Sequence, residues 1–207
     1  MDFFTNPNIL FYIAAYLIGS IPFGLILAKK FANVDIKQSG SKSIGATNVL
    51  RVVKQTNPTL AKKLGIATVL LDAIKGALVV LVAMSMGMSQ ETLWAVAVLS
   101  VLGHCYSAYL NFEGGKGVAT ALGVFLVLIP IPTLIGAGVW GFCAKVLKIS
   151  SLSSLLGLGG VVLSAIVLNN GLGVESNAPM YFIAFIIVYK HIPNIVRLIK
   201  GEEDKVV

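Results

Sequence analysis

The chain has 207 residues, 57% of them hydrophobic and only 12% charged, against about 45–50% and about 25% in soluble domains; the mean hydropathy of +0.88 points the same way. This excludes a soluble globular enzyme, a disordered chain and a nucleic-acid-binding domain of ordinary composition, and leaves an integral membrane protein with helical spans. The net charge of +7, from 16 Lys+Arg against 9 Asp+Glu, suits phosphorylated substrates or anionic lipid, and equally the cytoplasmic excess of cations that sets topology.

The first apolar run, residues 9–28, is long enough to span. Asp2 is the only charge before it, so the positive opening of a signal peptide is missing and a retained helix is expected. Further runs cover 64–87, with Asp72 and Lys75 inside it, then 93–112, 118–147, 152–168 and 178–189. Pro130 and Pro132 break the run at 118–147, because proline removes an amide donor and disfavours helix at the residue before it. A single crossing there makes six spans; a turn back makes seven. The basic residues arbitrate. With seven spans and the N-terminus outside, Lys and Arg of the connecting segments all face the cytoplasm, and the opposite loops (1–8, 88–92, around 131, 169–177) hold none. The expected architecture is all-α: one polytopic domain over residues 1–207, seven transmembrane helices, C-terminus cytoplasmic. The halves on either side of Pro130–Pro132 are short for a hydrocarbon layer of about 30 Å and predict a partial or tilted pair.

Four polar segments fall on the cytoplasmic side of this topology. Residues 39–48, SGSKSIGATN, with Arg51, combine glycines that let backbone amides approach an anion with hydroxyls and a guanidinium. Gly40 and Gly45 have the spacing of half a P-loop, but Ala46-Thr47 follows where Lys-Ser/Thr belongs, so nucleotide binding is rejected. A flexible polar loop is the plainer alternative. Residues 113–120, EGGKGVAT, precede an apolar helix, and free amides there plus Lys116 make an anion site, or a turn with a topology-setting lysine. Residues 150–154, SSLSS, read as caps and helix-packing serines as readily as a site. His191 and Asn194, three apart, share a face if the last span continues past Pro193.

Asp72 and Lys75 are also three apart, and a mutual ion pair is expected of charges in lipid. His104 reads as a satisfied core histidine. Cys105 and Cys143 sit in apolar stretches and read as packing residues, with no disulfide or zinc pattern. No H-x4-D follows either histidine, since Tyr109 and Val196 stand there, and there is no paired-aspartate metal site or G-x-S-x-G elbow. What remains is metal-free phosphate chemistry at the membrane.

Six stretches carry a resemblance over essentially the whole length: LIGSIPFG at 17–24, IGATNV at 44–49 with Arg51, LDAIKG at 71–76, Gly103-His104, GGKGVATALG at 114–123 and HIPNIVRL at 191–198. The chain resembles the bacterial acyl-phosphate-dependent glycerol-3-phosphate acyltransferases. The resemblance implies transfer of an acyl group from acyl phosphate to the 1-hydroxyl of sn-glycerol 3-phosphate, giving lysophosphatidate and phosphate, the first committed step of phospholipid synthesis. It implies Ser41, Arg51, Lys116, His191 and Asn194 as catalytic, and Gly45, Thr47, Asn48, Gly114, Gly115, Gly117 and Ser154 as substrate- or phosphate-binding. It implies no metal, cofactor or nucleic acid, a multi-pass place in the bacterial inner membrane with the site facing the cytoplasm, and coupling to the enzyme that makes acyl phosphate. The chain departs from the family pattern at Ser107 (usually Pro), Glu113 (usually Lys) and Pro193 (usually acidic).

The competing class is a transporter or channel for small organic phosphates, with the basic loops as a vestibule. The far side offers only Asp2, Glu91 and Glu175, which argues against a through-path. A structural membrane subunit would leave both glycine motifs without a purpose.

Overall fold

The computed structural model describes residues 6–168 and 177–205. The expected far-side stretches 1–5 and 169–176 lie outside the described residues. The described residues form ten α-helices: α1 Pro7–Gly19, α2 Phe23–Ala32, α3 Ala46–Val53, α4 Pro58–Ser85, α5 Gln90–Cys105, α6 Val118–Leu128, α7 Pro130–Leu147, α8 Ser150–Val167, α9 Ala178–Lys190 and α10 Ile192–Ile199. No strand occurs among the described residues. Among the described residues five stretches are long and apolar enough to cross a membrane: Pro7–Ala32, Pro58–Ser85, Gln90–Leu110, Pro130–Leu147 and Ser150–Val167. A sixth is the pair α9–α10, bent by 55°. Helix α6, with 11 residues, is apolar but short, about 17 Å at 1.5 Å per residue.

Glycines set the helix contacts, since association in lipid depends on close backbone approach. A Cβ on Gly19 would lie 2.3 Å from the Ser100 carbonyl oxygen, and one on Gly103 2.2 Å from that of Tyr16, so α1 and α5 run antiparallel in backbone contact. Gly123 meets the Ala73 carbonyl and Gly76 meets Thr120, which packs α6 antiparallel on α4. Gly136 faces Gly157 and Val161, and the Ser164 hydroxyl donates to the Pro132 carbonyl at 3.4 Å, which makes α7 and α8 an antiparallel hairpin.

Helix α6 leads away from Gly117 and α7 leads to Ser150, and Gly117 and Ser150 line one cavity, so the chain turns back where the prolines break it. Ile129 at the turn is fully buried. Its amide donates to Phe125 O at 2.7 Å and its carbonyl accepts from Thr133 Oγ1 at 2.7 Å, which satisfies backbone groups that lipid cannot.

The main core gathers Trp94, Phe125, Ile129, Met180, Ile183 and Ile187 between α4, α5, α6 and α9. A second cluster joins α2, α3 and α4 through Ile36, Ile44, Val49, Val53 and Leu64. Helix α3 lies in the segment read from sequence as a loop. Val49, Val52 and Val53 form its buried face.

Candidate functional site

The four polar segments meet. Thr47 Oγ1 lies 2.9 Å from Ser150 Oγ, Ser151 Oγ donates to Glu203 Oε1 at 2.7 Å, and Arg51 Nη2 is 3.6 Å from Asp204 Oδ2. They surround one cavity of about 250 Å³. Four helices open onto it at their N-terminal ends: α3 at Ala46-Thr47, α6 at Val118-Ala119, α8 at Ser150-Ser151 and α10 at His191-Asn194. Each end brings the positive pole of its helix, and at α3, α6 and α8 the first amides as well, so the cavity attracts anions before any side chain is counted; at α10 Pro193 has no amide and the Asn194 amide donates to His191 O. Arg51 and Lys116 line it as well.

The first segment is braced by Asn48. Its Oδ1 accepts from the Ser41 amide at 2.8 Å, and its Nδ2 donates to the carbonyls of Ile36 (2.8 Å), Ser39 (3.1 Å) and Ser43 (2.8 Å). Asn48 thus shapes the loop rather than offering a free amide to a ligand. Ser41, Ser43, Gly45 and Thr47 line the cavity around it. A Cβ on Gly45 would find only Ser43 Oγ, at 3.7 Å.

The glycine loop divides into two functions. Gly114 and Gly115 do not line the cavity. A Cβ on Gly114 would lie 2.3 Å from the His104 carbonyl oxygen, and one on Gly115 2.1 Å from His104 Nε2. The Gly115 amide donates to His104 O at 2.9 Å. These two glycines serve close packing, and the Gly115 amide is not open to phosphate. Gly117, at φ 84°, turns the chain into α6 and does line the cavity, beside Lys116. Lys116 has no hydrogen-bond partner among the described residues. Burial pushes its ammonium down to about 8; Glu203 opposes that, and Arg197 and Arg51 reinforce it.

The last segment bends at His191. Pro193 falls in the first turn of α10, where its missing amide costs nothing, and His191 and Asn194 both reach the cavity. His191 Nδ1 lies 2.7 Å from the Ile187 carbonyl, so Nδ1 carries the proton and Nε2 the lone pair. Ser154, mostly buried, completes the α8 wall.

Sequence reasoning missed Glu203. Gly201, at φ 71°, closes α10 with a Schellman turn in which the Gly201 amide donates to Leu198 O and the Glu202 amide to Arg197 O. The turn swings Glu203 back to accept from Asn194 Nδ2 at 2.6 Å and Arg197 Nε at 2.6 Å. Burial pushes the Glu203 carboxyl up, but the hydrogen bonds from Ser151, Asn194 and Arg197 win and hold it below its ordinary value. Asp72 and His104 were also missed as lining residues. Among the described residues no group of three or more His, Cys, Asp and Glu side chains is set to hold a metal.

Beyond its polar end the cavity is apolar, walled by Val69, Phe125, Gly136, Ala137, Trp140 and Val161. A bundle of membrane-length helices around a cavity with one polar end and one apolar end defines a class: polytopic membrane proteins with a site shaped for a compound that has a polar and an apolar part.

The comparisons narrow the class. The family model described as glycerol-3-phosphate acyltransferase matches residues 9–201. A glycerol-3-phosphate acyltransferase of Aliarcobacter butzleri is 77% identical over 207 residues, covering 100% of both chains. One of Sulfurimonas denitrificans is 60% identical, again over 100% of both. Two crystal structures of PlsY (YgiH), an integral membrane glycerol 3-phosphate acyltransferase, share the fold. Its glycerol 3-phosphate form has a TM-score of 0.85 at 35% identity and covers 97% of this chain and 96% of that one. Its lysophosphatidic acid form has a TM-score of 0.82 at 36% identity, with 97% and 95% covered. The chain belongs to the glycerol-3-phosphate acyltransferase family. It is an enzyme, and membership favours acyl transfer over transport of organic phosphates.

Proposed function

We propose that this enzyme moves a fatty acyl group from acyl phosphate to the 1-hydroxyl of sn-glycerol 3-phosphate, releasing lysophosphatidate and inorganic phosphate at the start of phospholipid synthesis. One observation carries the reading: the cavity is two-ended, with four helix N-termini, Arg51 and Lys116 at one end and apolar walls at the other. The phosphates of both substrates fit the first end and an acyl tail the second. The solved relatives with glycerol 3-phosphate and lysophosphatidic acid support the acceptor and the product.

In this reading Arg51 and Lys116 hold phosphate beside the reacting carbonyl, with Ser41, Thr47, Ser154, Gly45 and Gly117 contributing hydroxyls and amides. Asn48 shapes the loop, and Gly114 and Gly115 seat it. His191 and Asn194 orient the acceptor. The acceptor oxygen attacks the acyl carbon, the bond from that carbon to the phosphate oxygen breaks, and the departing phosphate takes the hydroxyl proton. Phosphate monoesters have a second pKa of about 6, so a phosphate group can take a proton near neutral pH. A mixed anhydride leaves readily, so no covalent enzyme nucleophile is required.

The whole of residues 1–207 acts as one domain with seven crossings, N-terminus outside and the site facing the cytoplasm of a bacterial inner membrane. The one-sided Lys and Arg distribution supports this, as does the reversal at Ile129–Pro130. The acyl-phosphate-producing enzyme is the functional partner.

The deciding experiment gives purified protein in detergent acyl phosphate and glycerol 3-phosphate and follows released phosphate and lysophosphatidate. Stoichiometric release of both is expected, and acyl-CoA is expected to be a poor donor. Equal rates with acyl-CoA overturn the donor assignment; no turnover by folded protein overturns the reaction.

A further inference from the structure

Three charged or titratable groups lie deep among the helices with no part in the reaction just described. Asp72, Lys75 and His104 are each about 97% buried or more. Lys75 Nζ is 2.8 Å from Asp72 Oδ1, 3.0 Å from His104 Nδ1 and 2.8 Å from the Ile21 carbonyl. An ammonium donates and cannot accept; Lys75 donates to Ile21 O and meets His104 Nδ1, and its contact with Asp72 Oδ1 is an ion pair. His104 Nδ1 must therefore accept, which puts the imidazole proton on Nε2.

An i,i+3 ion pair could have stayed private to α4. Instead the cluster ties α4 to the break between α1 and α2, where Ile21 and Pro22 stand, and to the end of α5. Burying such charges in a span is costly and needs a purpose.

The purpose lies on the other side of the His104 ring. Nε2 is set against Gly115, with no room for a Cβ between them, and the His104 carbonyl holds the Gly115 amide while crowding Gly114. The two residues before Lys116 thus rest on His104 by backbone and by ring. Asp72, His104 and Lys116 line the same cavity.

We propose that His104, held in one orientation and tautomer by Lys75 and Asp72, is a positioning residue that seats the Gly114–Gly115 turn and so aims Lys116 into the phosphate end of the cavity. This rests on Lys116 serving the reaction as proposed above. His104 acts only through Lys116.

A double-mutant cycle tests it. His104→Phe keeps a ring of similar size and removes both nitrogens; His104→Gln keeps hydrogen-bonding groups at reach. In the wild-type background His104→Phe is expected to lower kcat/KM by about 10- to 100-fold, the scale of a small misplacement of a catalytic group, with His104→Gln recovering part of it. In the Lys116→Ala background the same change is expected to lower kcat/KM no further. Equal fold-losses in both backgrounds, or full activity of His104→Phe, overturn the inference. Thermal unfolding in detergent identifies a variant that fails to fold, and Asp72→Asn then takes its place in the cycle with the same expectation. A Lys116→Ala variant of full activity sinks the site reading itself, a result distinct from either outcome of the cycle.

Discussion

Thr47 Oγ1 and Ser150 Oγ lie 2.9 Å apart across 103 positions of sequence. Their contact joins the N-terminal ends of α3 and α8, so the first polar loop closes onto the α7–α8 hairpin at the point where an anion gains from both helix poles. Either hydroxyl can turn from its neighbour to a phosphate oxygen. Thr47→Val and Ser150→Ala are each expected to lower kcat/KM for glycerol 3-phosphate by roughly 3- to 10-fold, the worth of one neutral hydrogen bond of about 1 kcal/mol. Steady-state kinetics that leave both variants at wild-type values would place the phosphates elsewhere.

Lys116→Ala and Arg51→Ala are each expected to cost at least about 100-fold in kcat/KM, since a charge-assisted contact to developing charge is worth about 2.7–4 kcal/mol. Lys116 adds a pH signature. Its ammonium, at about 8, is present below that pH and lost above it. The profile of kcat/KM should therefore fall on the alkaline side with a limb near 8, and Lys116→Arg should abolish the limb, because a guanidinium stays charged. A limb unchanged in Lys116→Arg assigns the titration to another group.

His191→Gln separates two sources of the base. The Nδ1 proton is committed to the Ile187 carbonyl, which leaves Nε2 as the only nitrogen able to take one. If the departing phosphate takes the acceptor's proton, the variant keeps substantial activity and the acidic limb of its pH–rate profile. A fall of about 10⁴-fold with loss of that limb makes His191 the general base.

Glu203 gathers Ser151, Asn194 and Arg197 onto one carboxylate. Hydrogen bonds to a charged group contribute on the order of 2 kcal/mol. Glu203→Ala is expected to lower both the unfolding temperature in detergent and kcat/KM, with Glu203→Gln intermediate because its amide meets the Arg197 Nε–H as a second donor. Wild-type behaviour of Glu203→Ala would show that α10 is placed by its apolar face alone.

Topology is open to labelling. Thr56 and Gln90 are exposed near opposite ends of α4 and α5. Gln90→Cys should react with an impermeant thiol reagent on intact cells, and Thr56→Cys only after permeabilisation. The opposite pattern reverses the orientation proposed here.

The apolar runs of the sequence are the long helices of the fold, because hydropathy alone drives insertion, and the Pro130–Pro132 break is where the chain turns. The cavity lining was legible at Arg51, at Lys116 and at the start of α6, where glycines and a cation stand together in one short stretch. Helix α3 was not, since Val49, Val52 and Val53 are three apolar residues in a polar segment that reads as loop. Glu203 was hidden in the charged tail of Glu202, Asp204 and Lys205, which looks solvated; Gly201, a glycine just past a helix, was the available signal. The Asp72–Lys75 pair was legible in its spacing of three and stands at 2.8 Å; the addition of His104 from α5 was not, since no linear spacing encodes a contact between two helices. Gly114 and Gly115 were read as anion donors because glycine marks close backbone approach; the approach is real, but it is to His104.

The unequal lengths of α6 and α7 have a bearing on how a lipid-soluble donor reaches a water-soluble acceptor. Helix α6 ends and α7 starts at the turn at Ile129–Pro130, yet α7 runs 18 residues and α6 only 11. The difference is about 10 Å of helix. In the reaction proposed above, a donor whose tail stays among lipids presents its phosphate at the start of the short helix, beside Gly117, and the small polar acceptor is the substrate that moves to meet it. On that proposal no fatty chain has to be lifted out of the lipid.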